Sequence, residues 1–243
     1  MKKISEKSFG QRLAKARQLI EVLKSIPDYT VSNAMLSVEA FNSLLTETEA
    51  INQQATEAKS RLAIKRELRN ELYYEADGLF SIVKRIRDYV ASLPNGKQNS
   101  HYKSIVLECQ KMMSTKSNSR KELITLKESE LPIRKISSSE KSFGSTLQSA
   151  KNILVQIGMI DSYEPSPPSL TKQKLQEAIN AVETINIEVH QEFVKVNEAV
   201  SNRVIKYDGT GGLQDCFQKI KLHLAGAYGK DSNIFLEASR IRI

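Results

Sequence analysis

Residues 6–82 of this 243-residue chain align with residues 140–216 without a gap, at a constant offset of 134, and 18 of the 77 aligned positions are identical. A self-match of that length means one structural plan written twice, which any fold of the chain must accommodate. The identities open with Glu-Lys-Ser-Phe-Gly at 6–10 and 140–144. They continue through Leu13/Leu147, Ala16/Ala150, Ile26/Ile160, Tyr29/Tyr163, Leu36/Leu170, Glu49/Glu183, Ile51/Ile185 and Asn52/Asn186. Ser32/Ser166, Arg69/Arg203, Tyr73/Tyr207, Gly78/Gly212 and Leu79/Leu213 complete the series. The chain thus divides into a first repeat, 1–135, which includes a connecting helix, and a second, 136–243, as a tandem duplication.

Each repeat reads as helices only. A first helix over ~9–26 carries Phe9, Leu13, Ala16, Leu19, Ile20, Leu23 and Ile26 at spacings of three and four, the period of one helix face. Ser8 and Gln11 have the spacing of a capping box; the second copy keeps Ser142 but has Ser145 in place of Gln11. No Gly or Pro interrupts the chain between Asp28 and Asp77, or between Pro168 and Gly209. Phe41, Leu44, Thr48, Ile51, Ala55, Ala58 and Leu62, continued by Lys65, Arg69 and Leu72, hold one phase across the first of these runs. That phase predicts one helix of ~37 residues per repeat, roughly 55 Å long.

Ser166 before Pro167 reads as an N-cap with proline at the first helical position. "YYEADG" and "YDGTGG" break the chain before a third helix (~79–92, ~213–225), and "LPNGK" and "AYGKD" supply a glycine for its end. Helices at ~102–113 and ~119–129 bridge the repeats, and "NIFLEASRIRI" is their shortened counterpart. The expected fold is an elongated all-α pair of related bundles, packed side by side or end to end.

The net charge of +8 belongs entirely to the first repeat, which has 24 Lys and Arg against 16 Asp and Glu; the second has 12 against 12. No stretch approaches the ~18–20 apolar residues of a membrane span, and the start lacks a secretory apolar segment, so a cytoplasmic location is expected. Cys109 and Cys216 fall at apolar positions of helical patterns and are expected as buried free thiols.

Chemistry-bearing patterns are sparse. "YDGTGG" lacks the Gly-Lys-Ser/Thr ending of a phosphate loop and reads as a helix-to-helix turn. His101, His190 and His223 stand opposite Ile234, Thr56 and Tyr89, so neither repeat keeps a histidine in register. There is no Glu-x-x-His pair, Cys/His cluster or Gly-x-Ser-x-Gly elbow. No catalytic, cofactor-binding or metal-binding residue, and no small-molecule substrate, is therefore assigned, and the expectation is a protein without enzymatic activity.

The polar residues kept in both repeats read as structural. Asn52 and Asn186 lie beside the apolar seam of the long helix, where one amide can fix register. Arg69 with Tyr73, and Arg203 with Tyr207, are i,i+4 pairs near its end, followed by Gly78 and Gly212. Stacking of Arg on Tyr, or Arg bonding to helix-end carbonyls, would account for them. The surface lead is a basic face of Lys59, Arg61, Lys65, Arg66 and Arg69 with Lys84, Arg85 and Arg87 from the third helix, interleaved with Glu67, Glu71 and Asp88.

The stretch 69–105, in its Leu72-Tyr73, Gly78-Leu79, Arg87-Asp88-Tyr89-Val90 and Gly96, Ser100, Tyr102-Lys103 order, resembles helical proteins of unknown function encoded by bacteria. The resemblance implies a bacterial helical protein and carries no activity. The first functional expectation is a non-enzymatic scaffold or assembly protein that binds a protein partner or itself. The alternative is sequence-independent binding of nucleic acid, or of an acidic partner, through the basic face. A membrane-active amphipathic protein is the third reading, ranked last because the apolar stripes suit packing against one another.

Overall fold

A computed structural model describes the backbone of residues 6–114 and 138–243 and the side chains of 9–112 and 143–243. The helix expected at 119–129 lies outside the described residues. Those residues form eight α-helices and no strand: α1 (Glu6–Lys24), α2 (Val38–Tyr74), α3 (Leu79–Ser92), α4 (Ser100–Ser114), α5 (Ser138–Gly158), α6 (Lys172–Asp208), α7 (Leu213–Tyr228) and α8 (Asn233–Arg240).

The uninterrupted runs are single helices: α2 and α6 have 37 residues each. Their starts differ from the expectation. The Ser37 hydroxyl accepts from the Ala40 N–H at 3.1 Å, and the Thr171 hydroxyl, 134 positions on, accepts from the Lys174 N–H at 3.2 Å. These two are the caps, and Ser166 is not. Before each cap the chain makes one 3₁₀ turn, Ala34–Leu36 or Pro168–Leu170. Its last carbonyl accepts the Tyr29 hydroxyl at 3.1 Å or the Tyr163 hydroxyl at 2.5 Å. A local side-chain bond across the turn leaves no trace in apolar periodicity. Helices α1 and α5 begin at Glu6 and Ser138, upstream of Ser8 and Ser142, so those serines sit inside the helices, third and fifth in line, rather than at the caps.

Two compact units form, and their boundaries do not follow the repeats: one comprises 1–62 with 193–243, the other 63–192. A 37-residue helix is far longer than the 8- to 21-residue helices available to cover it, so its two ends need different partners. The first unit joins α1 and the start of α2 to the end of α6, α7 and α8, around Leu19, Leu23, Phe41, Phe217 and Ile220. The second joins the end of α2, α3 and α4 to α5 and the start of α6, around Ile82, Ile86, Ile105, Ile153, Leu175 and Ile179. Each core thus takes the first-helix half of one repeat and the third-helix half of the other. The exchange also redistributes charge: the first unit carries 17 basic against 12 acidic residues, the second 19 against 16.

Within the second unit α4 packs along α5. Cys109 and Cys216 are buried free thiols, and burial pushes the Cys109 thiol up to about 11, away from nucleophilic chemistry at neutral pH.

Candidate interaction surface

The repeated Phe-Gly dipeptide meets the repeated Arg-x-x-x-Tyr within each unit. In the second unit the Arg69 guanidinium lies 3.8 Å from the centre of the Phe143 ring, which is itself 4.8 Å from the Tyr73 ring. The Tyr73 hydroxyl donates to the Phe143 carbonyl at 2.9 Å and accepts from Asn186 Nδ2 at 3.0 Å. In the first unit Arg203 lies 4.3 Å over the Phe9 ring, Tyr207 stands 4.7 Å from that ring, and its hydroxyl donates to the Phe9 carbonyl at 3.3 Å. Asn52 Oδ1 there accepts from Arg203 at 3.4 Å. Arginine therefore stacks on the phenylalanine of the other repeat and not on its own tyrosine, because the tyrosine ring is turned inward to the same phenylalanine. Burial pushes Tyr73 and Tyr207 up to about 12, so both hydroxyls stay protonated donors. A peripheral pair recurs with the same offset, Arg17 with Glu49 and Lys151 with Glu183. Arg69, Arg203, Asn52, Asn186, Tyr73 and Tyr207 are joints of the cores.

Gly78 and Gly212 precede α3 and α7 with ordinary φ of −73° and −76°. A Cβ at Gly212 would fall 2.7 Å from the Lys206 carbonyl oxygen, and one at Gly78 3.0 Å from Glu75 backbone; close approach explains both glycines. The "YDGTGG" turn holds its own anion: the Gly211 N–H donates to Asp215 Oδ2 at 2.8 Å, and Lys219 pairs with the same oxygen at 2.8 Å. Those two bonds, Lys219 first, hold the Asp215 carboxyl below its usual range, so an incoming phosphate meets a carboxylate. The glycine expected to end the third helix is placed correctly at Gly229, with φ 84°. In the first repeat the left-handed residue is Asn95, at φ 57°, while a Cβ at Gly96 would meet the Val90 carbonyl oxygen at 2.2 Å.

The residues of the basic face divide between the two units. Lys59 and Arg61 belong to the first unit, and Arg61 lies 3.9 Å from Glu57. In the second unit Lys65 pairs with Glu188 at 2.8 Å, Arg85 with Asp77 at 3.4 Å and Arg87 with Asp88 at 2.7 Å. Arg69 is 7% exposed beneath its helix. Arg66 and Lys84 are exposed and make no ion pair among the described residues. Among the described residues no group of three metal-ligating side chains occurs, and no helix is long and apolar enough to cross a membrane. A hollow of about 200 Å³ beside the second joint is lined by Arg69, Phe143, Gly144, Asn186, Val189 and His190.

The feature the apolar pattern did not single out lies on the outer face of α2 in the second unit. Ile64, Leu68 and Leu72 are spaced four apart and are 54%, 40% and 37% exposed. Leu72, expected on the inner stripe, therefore faces outward. Glu67, Glu71 and Glu75 run alongside, all exposed. The positions 134 residues on are Glu198, Asn202 and Lys206, with Ile205 where Glu71 stands. Setting the two repeats side by side at exposed positions would have flagged this row. No family model, curated protein or solved structure matches the chain.

Proposed function

We propose that this chain is a non-enzymatic interaction protein of the cytoplasm, a scaffold or assembly component built from a duplicated helical plan, that docks a protein partner on the outer face of α2. One observation carries the reading: Ile64, Leu68 and Leu72 occupy exposed positions at which the other repeat has Glu198, Asn202 and Lys206. The helix needs no apolar residue there to fold, and covering the three side chains would return about 1 kcal/mol each. Arg69/Arg203, Tyr73/Tyr207 and Asn52/Asn186, polar residues common to both repeats, support it from the other side, being engaged in holding helices together. Polyanion binding has less support, since most cations of the basic cluster are ion-paired or buried and the charge excess is spread over both units.

A photo-cross-linking residue placed at Leu68 in the full-length protein, in cells of its source, tests the reading. A discrete protein adduct is expected at position 68, lost when Leu72→Glu is added and missing when the cross-linker stands at Asn202. No adduct at 68, or equal adducts at 68 and 202, overturns it.

A further inference from the structure

We infer that the partner presents a basic amphipathic helix to this face; the inference rests on the docking reading above. The row from Ile64 to Leu72 covers eight residue steps, roughly 12 Å or two turns of helix, which is the length over which a partner helix with apolar residues at i, i+4 and i+7 makes continuous contact. One flank of the row is a ridge of Glu67, Glu71 and Glu75, spaced four apart, exposed, and without an ion pair among the described residues. On the opposite flank the cations have carboxylate neighbours, Lys65 with Glu188 at 2.8 Å and Arg61 3.9 Å from Glu57. The ridge is therefore an uncompensated acidic edge in a unit whose net charge is positive. A helix lying in the apolar row brings one of its own edges against that ridge, and lysine or arginine on that edge supplies the missing charge.

A second copy of this chain fits poorly. Two copies of the same row paired antiparallel bring like flanks together, setting glutamate ridge against glutamate ridge; paired parallel, the ridge meets an edge whose lysine is already engaged with Glu188. The partner is accordingly a helix from a different protein.

The test uses the full-length protein and two synthetic helical peptides with the same leucine row, one flanked by lysines and one by glutamates, with binding read by fluorescence anisotropy at 0.15 M salt. The lysine peptide is expected to bind saturably at one site, at least tenfold more tightly than the glutamate peptide. The variant Ile64→Glu, Leu68→Asn, Leu72→Lys writes the other repeat's residues onto this face; its melting temperature should stay within a few degrees while binding falls at least tenfold. Reversing the ridge by Glu67→Lys, Glu71→Lys and Glu75→Lys is expected to invert the peptide preference. Equal binding of the two peptides, unchanged binding by the Ile64/Leu68/Leu72 variant, or failure of the ridge reversal to invert the preference overturns the proposal. An adduct at Leu68 in cells alongside equal peptide binding would retain the docking role and eliminate this partner class.

Discussion

Replacing Phe143 by leucine keeps an apolar side chain of similar bulk at the second joint but removes its ring. Two interactions disappear: the stack with Arg69, at 3.8 Å and with the arginine 7% exposed, and the ring pair with Tyr73 at 4.8 Å. A desolvated cation–π contact contributes about 2 kcal/mol and an aromatic pair about 0.5–1.5 kcal/mol. Part of the second is regained by leucine packing, so the expected loss is about 2–3 kcal/mol, equivalent to ~30- to ~150-fold in the opening equilibrium. The location of the loss is the sharper expectation. Phe143 is in the second repeat, yet its partners are in the first, so amide hydrogen exchange should accelerate in α3 and α4 together with α5. Helix α7, which belongs to the same repeat as Phe143 but to the other unit, should change much less. Phe9→Leu should give the mirror result, with acceleration in α7 and α8 and little in α3. Faster exchange in α7 rather than α3 on changing Phe143 would refute the exchanged arrangement of cores.

The tyrosines make a pH-dependent expectation. Tyr73 is raised from its ordinary value of 10.0 to about 12, so the stability it contributes is complete below pH 10 and is lost as the pH rises through 12. Two pK units correspond to at most about 3 kcal/mol, so the denaturant midpoint of the wild type should fall more steeply above pH 10 than that of Tyr73→Phe; parallel pH curves would refute the buried-hydroxyl account. At neutral pH the same variant should lose about 1–2 kcal/mol, because the Phe143 carbonyl and Asn186 Nδ2 each lose a partner. Thr48, buried with its hydroxyl bonded back to the Leu44 carbonyl at 2.6 Å, occupies the position of Val182, so Thr48→Val should be neutral to stabilising by up to about 1 kcal/mol; a larger loss would show that the hydroxyl matters. Gly10→Ala, with open space around its Cβ inside α1, should stabilise by up to about 1 kcal/mol. Gly212→Ala should destabilise by more than that against the Lys206 carbonyl; thermal melts of the two variants moving in the same direction would contradict the close-approach argument.

The helices themselves were legible. Runs without glycine or proline and an apolar phase of three and four are properties of neighbouring residues, and α2 and α6 follow them to the predicted 37-residue length. Which helix covers which end was not legible. Periodicity states that Phe9 and Phe143 face inward, but the arginine and tyrosine they meet belong to the other repeat, and no local pattern encodes that pairing. Leu72 failed for a related reason. A straight α-helix falls about 20° behind a seven-residue repeat every two turns, or about 80° over the four heptads from Phe41 to Arg69. The inner face has by then rotated, so Tyr73 points into the core and Leu72 to solvent. Thr48 is buried on the inner stripe and Asn52 beside it accepts from Arg203, while the caps Ser37 and Thr171 leave no periodic signal because a helix boundary is set by a single hydroxyl.

A chain that builds the same kind of environment twice separates what folding requires from what it merely permits. Phe9/Phe143, Arg69/Arg203, Tyr73/Tyr207 and Gly78/Gly212 are the same in both repeats and are all engaged in the cores or their turns, so their chemistry is accounted for by packing. Where the repeats differ at a buried position, as Thr48 and Val182 do, the difference records what the core tolerates. Where they differ at an exposed position, packing exerts no preference, and water favours polar side chains. Glu198, Asn202 and Lys206 conform to that preference; Ile64, Leu68 and Leu72 run against it on three successive turns of one helix. Scattered exposed apolar residues are ordinary, but three in a row beside an unpaired acidic ridge form a surface with both a shape and a charge. Packing thus accounts for Arg69/Arg203 and Tyr73/Tyr207, and the exposed row on α2, which packing does not require, is where a partner is best sought.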